Sequence, residues 1–406
     1  MDKMDTYTRW KQNPDKGEVF TPKSLVNEML DKIPVHIWEN PASTFCDLAM
    51  GKGTFLVEIV NRLVYIYNYS EEDAKSRIFG YEIRVKYINY LTRRGYNNLR
   101  HADSLEEEIK MKFDVVIGNP PYQKKVGPKK TQSIWPKFVE KSFEICKEGG
   151  YVSLIHPSGW RNVKGDYKVT QKLLLSRDVK YLNMYNDVDG MKIFNASINF
   201  DTYLIHNVEN TCEETTIIDQ SRKMFNHKIS ELDFIPNGMF DEIFSLVAKD
   251  GEETVEILHS YSDYETRKKY MSKVRTEEHK YPCVSNVTKS EDIKLLYSSI
   301  NTNGHFGLPK LICGSASSGT NYFIDDNGDY GVTQFSFAII DTQQNLSLIK
   351  KVMKSEIFQT IIKSIPNNSS AVNYKIIATF RKDFWKDFLD EDNNVIEPNF
   401  ENVERV

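Results

Sequence analysis

The most informative stretch of the sequence is Asn119-Pro120-Pro121-Tyr122, which follows a run of apolar residues. Two acceptor oxygens, the side-chain oxygen of Asn119 and the backbone carbonyl of Pro120, can face the two N–H bonds of an exocyclic amino group. They would stabilise the positive charge that develops as its nitrogen attacks. Tyr122 adds an aromatic face on which an extruded base can stack. The motif predicts group transfer to the amino group of a base such as adenine, against the alternative of a proline turn that ends a strand.

A second motif places Asp47 shortly before Gly51 and Gly53, where a short apolar run meets a helical pattern. Glycine lets the backbone approach a ligand closely, and an open helix N-terminus favours a carboxylate. A tight turn explains a Gly-x-Gly sequence equally well. The order of later acids favours the ligand: Glu82 ends the next strand, where a carboxylate can accept both hydroxyls of a ribose, and Asp103 follows.

The side chains named above lie in a stretch where predicted strands and helices alternate. Strands are predicted within residues 43–50, 77–83, 113–122 and 151–160, and helices within 53–69, 85–96 and 134–150. This alternation is typical of an α/β fold with a parallel sheet and helices on both faces. The carboxyl ends of parallel strands face one crevice, so the acids and Asn119 should meet there. Three more strands, within 179–187, 192–197 and 198–207, are expected to close the sheet.

The composition changes after about Asn210, where a polar stretch resembles a linker. The sequence therefore predicts two domains, 1–210 and 211–406. The second mixes helical patterns with strand-like segments, and the Asn-Gly pair within residues 325–331 predicts a hairpin.

The formal net charge of -4 over 406 residues excludes a generic polyanion binder, so a nucleic-acid site would be a local basic patch. The five cysteines have no CxxC pair, which predicts a reducing cytoplasm and no metal site. No apolar run has the length of a membrane span, and the polar start lacks a signal-peptide pattern. We expect a cytoplasmic protein of a bacterium or of its phage.

The order of these motifs resembles that of the γ-class adenine-N6 DNA methyltransferases, the TaqI-like amino-methyltransferases. The resemblance covers roughly the first half of the chain. It implies a Rossmann-like sheet of the S-adenosyl-L-methionine-dependent methyltransferases in residues 1–210, followed by a mixed α+β target-recognition domain in 211–406. The implied function is site-specific methylation of a flipped adenine in double-stranded DNA, within a restriction-modification or DNA-protection system.

The resemblance also implies roles for individual residues. Those assigned to the cofactor are Thr21 of the Gly-Glu-Val-Phe-Thr-Pro segment at its methionine end, Asp47, Gly51, Gly53, Glu82, Ile83, Asp103, Asn119 and Pro121. Catalysis falls to Asn119, Pro120 and Tyr122, and base stacking to Tyr122 and Phe194, for which Phe200 is a close competitor.

Two positions depart from the family pattern. Leu48 replaces a proline of the glycine motif, and Ser104 stands where an aromatic or apolar residue is usual. His156 ends a strand and could be taken for a general base, but a neutral amine needs none before it attacks, so a core histidine is the better interpretation.

Four lysines follow the catalytic motif: Lys124, Lys125, Lys129 and Lys130. A charge run is usually a solvated loop. Its place beside Tyr122 favours contact with DNA phosphates instead. The expected partners are double-stranded DNA and a separate cognate restriction endonuclease, with no membrane and no metal.

Three alternatives stay open: methylation of RNA adenines, methylation of protein glutamines, and a non-catalytic DNA-reading module with the same fold. The roughly 195 residues after the core favour a long recognition surface such as duplex DNA requires. The set of Thr21, Glu82, Asp103 and Asn119 argues against the non-catalytic module.

Overall fold

The structure is a computed structural model that describes residues 20–127, 130–162, 165–211, 213–259, 262–314, 321–366, 372–398 and 400. The chain forms two compact units. The first extends to Asp233, except for a three-residue stretch beginning at Arg161, which belongs to the second unit with Phe234 and the residues after it. The expected boundary at 210 is too early, because two more strands join the first unit's sheet beyond it.

The first unit is built on one nine-stranded sheet and a separate hairpin. Its strands are β1 (Phe45–Asp47), β2 (Ile78–Glu82), β3 (Leu99–His101), β4 (Phe113–Gly118), β5 (Gln123–Gly127), β6 (Lys130–Ser133), β7 (Cys146–Pro157), β8 (Arg177–Tyr185), β9 (Phe200–Glu209), β10 (Thr215–Ile218) and β11 (Met224–His227). The order across the sheet is β11-β10-β8-β9-β7-β4-β1-β2-β3.

Its helices are α1 (Lys23–Leu30), α2 (Val35–Glu39), α3 (Thr54–Tyr65), α4 (Glu71–Ser76), α5 (Val85–Thr92), α6 (Trp135–Ile145), α7 (Lys168–Leu175) and α8 (Asp187–Phe194), and a short 3-10 helix spans Ser158–Arg161.

Five neighbouring strands of this sheet run parallel, from β3 through β2, β1 and β4 to β7, and β9 lies antiparallel between β7 and β8. The apolar run of β4 is buried, with Val115 and Ile117 fully covered, as a strand covered on both faces requires. The α/β fold class is therefore confirmed. Since β1, β2 and β4 are parallel, their carboxyl ends bring Asp47, Glu82 and Asn119 to one edge.

One predicted strand of the first unit is wrong. Residues 192–197 were expected to be extended, but α8 continues to Phe194 and ends at Asn195, whose φ is +56°. The helix starts with a capping box, in which Asn186 and Asp189 each accept a hydrogen bond from the other's backbone N–H. This cap satisfies the first backbone donors and favours a helix over a strand.

The second unit contains two four-stranded sheets. Its strands are β12 (Glu256–Leu258), β13 (Met271–Ser272), β14 (Tyr281–Val287), β15 (Ile293–Ser298), β16 (Lys310–Gly314), β17 (Tyr322–Asp325), β18 (Gly331–Val332) and β19 (Ser336–Ile340). Its helices are α9 (Phe240–Leu246), α10 (Gln343–Met353), α11 (Glu356–Ser364) and α12 (Tyr374–Ile377), followed by a 3-10 helix at Phe384–Phe388. The strand orders are β12-β19-β16-β17 and β13-β15-β14-β18.

This unit has the mixed α+β character that the sequence predicts, but the hairpin at the Asn-Gly pair is wrong. Gly328 does turn the chain, with a φ of +73°. However, β17 pairs with β16, while β18 pairs with β14 in the other sheet. The turn residues are held by the Asp325 carboxylate, which accepts hydrogen bonds from the N–H groups of Asp329 and Tyr330. In the part of the chain that the structure describes, no helix is both long and apolar enough to cross a bilayer.

Candidate active site

Asn119 follows directly after β4, and its side chain is held in one orientation. The amide nitrogen Nδ2 donates to the Thr21 hydroxyl oxygen over 3.1 Å. Thr21 is 6% exposed and lies just before α1. The amide oxygen Oδ1 is buried and has no hydrogen-bond partner among the described residues. A buried acceptor without a partner is costly in a folded protein, so this oxygen is the acceptor that the site offers to a ligand.

The other motif residues, Pro120, Pro121 and Tyr122, lie next to Asn119 in the chain. Pro120 is buried and Pro121 is exposed. The Tyr122 ring is half-buried, and its hydroxyl is buried without a partner among the described residues. Burial, with a smaller contribution from the Asp201 carboxylate, raises the pKa of Tyr122, so the phenol stays neutral. The hydroxyl end of the ring therefore points into the protein.

The glycine motif forms an open loop between β1 and α3. Gly51 and Gly53 take left-handed φ values of +52° and +78°, which glycine adopts without strain. A Cβ added at Gly51 would meet nothing within 4 Å, whereas one at Gly53 would lie 2.4 Å from the Leu91 side chain. Gly53 therefore packs against α5, while Gly51 borders open space that a ligand can enter.

Glu82 is a carboxylate that accepts a hydrogen bond from this loop. Its Oε2 accepts from the Gly51 N–H over 3.0 Å, and its Oε1 accepts from the Arg84 N–H over 2.9 Å. The side chain is buried, yet each oxygen has a second lone pair for a ligand hydroxyl. The neighbouring Ile83 is 60% exposed and presents an apolar surface next to this carboxylate.

Asp47 lies beneath the loop and is fully buried. Its Oδ1 accepts from the Ala49 N–H over 2.9 Å. Burial, reinforced by the Glu82 carboxylate, raises the pKa of Asp47 to about 7. β4 comes so close that a Cβ on Gly118 would lie 2.6 Å from this oxygen. The glycine before Asn119 is thus required for the close approach of β4 to Asp47.

The third acid, Asp103, follows β3 and is only partly buried, with its Oδ1 bonded to the Leu105 N–H over 3.1 Å. The two departures from the family pattern contact each other here. The hydroxyl of Ser104 is buried and donates to the Leu48 carbonyl over 2.7 Å. Ser104 therefore ties the segment that carries Asp103 to the glycine loop.

These residues fit S-adenosyl-L-methionine. Glu82 and Asp103 carry carboxylate oxygens that could accept ribose hydroxyls and an adenine amino group, and the exposed Ile83 side chain could give that adenine an apolar contact. The open space beside Gly51 leaves the loop backbone accessible to the cofactor.

The aromatic residues expected near the site have different environments. Phe200 is fully buried and stacks on Tyr185 with ring centres 4.4 Å apart, so it has no free face for a base. Phe194, at the end of α8, is half-buried and packs edge-on against Phe200. His156 is a core residue that stacks on Trp135 at 4.2 Å. Burial lowers the pKa of His156 to about 4, so the ring is neutral.

The lysine run forms the hairpin β5–β6 rather than an irregular loop. Lys124, Lys125 and Lys130 are exposed, and Lys129 lies outside the described residues. The hairpin, the bond between Thr21 and Asn119, and the bond between Ser104 and Leu48 were not anticipated from the sequence. The Gly127-Pro128 sequence between two short polar runs is the turn signal that could have indicated the hairpin.

Residues 50–194 match the family model of the Eco57I restriction-modification methylases. Among curated proteins, the chain is 24% identical over 245 residues to the Type II methyltransferase M.VspI of Vibrio sp. (strain 343), covering 54% of this chain and 58% of that protein. It is 30% identical over 140 residues to an uncharacterized adenine-specific methylase of Mycoplasma pneumoniae, covering 30% of this chain and 33% of that protein.

Among solved structures, the chain is similar to a nuclease-deletion mutant of the Type ISP restriction-modification enzyme LlaGI, in complex with a DNA substrate mimic. The TM-score is 0.53 at 11% identity, over 86% of this chain and 45% of that chain. This likeness is one of fold. The chain spans 58% and 33% of the two curated relatives. The matches confirm the resemblance to restriction-modification methylases, and S-adenosyl-L-methionine is the cofactor of that class.

Proposed function

We propose that the protein is a site-specific DNA methyltransferase that transfers the methyl group of S-adenosyl-L-methionine to the exocyclic N6 of an adenine flipped out of duplex DNA. The observation that carries the proposal is the orientation of Asn119. Its nitrogen is occupied by Thr21, and its buried oxygen has no partner among the described residues. An acceptor without a partner at the end of β4 is what a primary amino group requires.

The acceptor explains how the residues would assist the reaction. The Asn119 oxygen and the Pro120 carbonyl would each accept one N–H of the target amine, which raises electron density on nitrogen and stabilises the cation formed on methylation. The added proton would leave to water afterwards, which agrees with His156 being neutral and buried. Tyr122, with its hydroxyl end buried, would present its ring to the extruded base.

The cofactor supplies the methyl group, and this chain's residues would hold it. Glu82 would accept the ribose hydroxyls, Asp103 the adenine amino group, and Gly51 would let the backbone approach, with Ile83 packing on the adenine ring. Thr21 would donate its hydroxyl proton to the methionine end of the cofactor. Phe194 is proposed as a second, weaker contact to the flipped base, since part of its side chain is accessible at the end of α8.

DNA is favoured over RNA or protein as the substrate by two features. The matching family model is that of restriction-modification methylases, the curated relatives are a Type II methyltransferase and an adenine-specific methylase, and the LlaGI structure contains a DNA substrate mimic. The second unit, from Phe234 onward, has its own core, so it could carry a surface for target recognition. We propose that it recognises the DNA sequence and that the protein acts in the cytoplasm beside a separate cognate restriction endonuclease.

The test is transfer of labelled methyl groups to duplex DNA, followed by methylation-aware sequencing to locate N6-methyladenine. Asn119→Ala should still bind cofactor through Glu82 and Asp103 but lose about 100- to 1000-fold in the single-turnover rate, because it removes an acceptor used most in the transition state. Asn61→Ala, on α3 far along the chain from the motif, is the matched control. Methylation of RNA or of a glutamine peptide in place of DNA would refute the proposed substrate, and an Asn119→Ala rate near wild type would refute the assigned role.

A further inference from the structure

The hairpin formed by β5 and β6 begins at the last residue of the catalytic motif. The Ile134 N–H donates to the Tyr122 carbonyl over 3.0 Å, one step below the pair of Gln123 and Ser133. The base of the hairpin is therefore Tyr122 itself. Whatever contacts the hairpin is held at a fixed place relative to Asn119-Pro120-Pro121-Tyr122.

Both ends of the hairpin are anchored in the first unit. Pro120 is buried before it, and Trp135, 1% exposed, begins α6 after it. The Tyr167 hydroxyl donates to Ser133 Oγ over 3.2 Å. The hairpin thus projects from a base that is anchored on both sides.

Beyond this base, the two strands are exposed. Residues 123–126 and 130–132 are all exposed, on both faces of the ribbon. At about 3.3 Å per residue, β5 extends roughly 15 Å from the motif. A two-stranded ribbon of this kind fits the major groove of B-DNA, which is about 12 Å wide. The register shift between Lys125 and Gly127 adds local twist, which suits a ribbon that follows a groove.

The charge of the ribbon is of one sign. Residues 123–133 contain lysines and no aspartate or glutamate. Lys124, Lys125 and Lys130 form no ion pair among the described residues, and all three are exposed. Lys124 lies opposite Gln132 and Lys125 opposite Thr131. The ribbon therefore combines positive charge for phosphates with neutral polar side chains, although the whole chain carries a net charge of -4.

We propose that the β5–β6 hairpin is a DNA-binding ribbon that lies in the groove beside the flipped adenine, with Lys124, Lys125 and Lys130 on the phosphates that flank it. The proposal rests on the proposed function, since it assigns the partner of the same site. Its rigid connection to Tyr122 sets the distance between these phosphates and the base that is methylated. The partner is duplex DNA, and the contact is with its backbone.

The experiment measures how DNA affinity depends on salt. The probe is a short duplex carrying the sequence that the wild-type protein methylates, with the full chain and S-adenosylhomocysteine present. Each lysine–phosphate contact contributes about 0.9 to the slope of log K against log salt, so the variant Lys124→Gln/Lys125→Gln/Lys130→Gln should have a slope smaller by about 2.7. Between about 50 and 200 mM salt, the wild type should lose about 40-fold more affinity than the variant.

A matched control removes the same charge elsewhere on the first unit. Lys110, Lys112 and Lys147 are exposed and lie near the amino ends of β4 and β7, away from the carboxyl edge. Their triple glutamine variant should keep the wild-type slope. Hydroxyl-radical footprinting should show protection of the backbone sugars flanking the target adenine in the wild type and the control, and loss of that protection in the hairpin variant.

The outcomes separate this proposal from the proposed function. If the wild type methylates and binds DNA while the hairpin variant keeps the wild-type slope and footprint, the ribbon is not a DNA contact and only this inference fails. A slope that falls equally in the control shows a non-specific charge effect, which also overturns it. A wild type that binds cofactor but neither binds nor methylates DNA overturns the proposed function as well.

Discussion

Removing the Thr21 hydroxyl tests whether the orientation of Asn119 matters for the reaction. Thr21→Val keeps the shape of the side chain and deletes the acceptor of the Asn119 Nδ2 hydrogen bond, which is 3.1 Å long. Such a bond contributes about 0.5–1.5 kcal/mol, and leaving a buried donor unpaired costs about 1–3 kcal/mol. Without it, the amide can rotate and present N–H groups, not an acceptor, to the target amine.

The expected effect follows from that free energy. A loss of about 1.4 kcal/mol in preference for the productive orientation corresponds to a tenfold lower single-turnover rate at saturating cofactor and DNA. Thr21→Ser keeps the hydroxyl and should retain most of the rate. Thr44→Val deletes a comparable hydroxyl, bonded to Asp114 over 2.9 Å just before β1, and should leave the rate unchanged.

A double-mutant cycle separates this role from a direct one on the cofactor. If Thr21 acts through Asn119, Thr21→Val should lower the methylation rate in the wild type but have little further effect in Asn119→Ala. Cofactor affinity measured by calorimetry shows any separate contribution at the methionine end. Rates for Thr21→Val equal to wild type at saturating cofactor, or effects that simply add in the double variant, would refute the reasoning.

Two further predictions concern buried charges. Burial raises the pKa of Asp47 from an ordinary 3.8 to about 7. Between pH values of about 4 and 7, the folded protein therefore keeps a proton on Asp47 that the unfolded chain has lost. The free energy of unfolding should fall as pH rises through this range. The fall is on the order of 3 kcal/mol, and Asp47→Asn should remove it in urea titrations at several pH values; an unchanged pH dependence in the variant would count against the assignment. In the second unit, Lys310 is fully buried and donates to Asp325 over 2.7 Å. Lys310→Met should destabilise the protein by about 3–5 kcal/mol because it leaves Asp325 buried without its counter-ion, and Asp325→Asn added to it should recover part of that loss; a thermal denaturation midpoint that does not rise in the double variant would contradict this.

The carboxyl ends of β1, β2 and β4 could be predicted because each is marked locally. Apolar runs stop at Asp47, Glu82 and Asn119, and parallel pairing then requires the three to share an edge. The contact between Thr21 and Asn119 could not be predicted in this way. The two residues are 98 positions apart, and their bond depends on how the segment before α1 packs against the end of β4.

The sequence-based predictions were wrong where a local signal competes with strand pairing or with helix capping. The Asn-Gly turn near Gly328 exists, but which strands pair is decided by partners elsewhere in the chain, β16 and β14. The polar stretch after Asn210 resembled a linker, although β10, only four residues long, follows it and pairs between β8 and β11 in the sheet. The strand-like composition near Phe194 was overridden by the cap at the start of α8.

In the proposed mechanism, Thr21 would connect cofactor binding with catalysis through a single hydroxyl. Its oxygen accepts from Asn119, so its own proton remains free to be donated to another acceptor. The family resemblance places the methionine carboxylate of the cofactor on that side. A hydroxyl that donates to a carboxylate becomes a stronger acceptor, because polarised hydrogen bonds reinforce one another. Bound cofactor would therefore strengthen the hydrogen bond between the Asn119 nitrogen and Thr21. The Asn119 oxygen would then be oriented toward the target amine before the base binds.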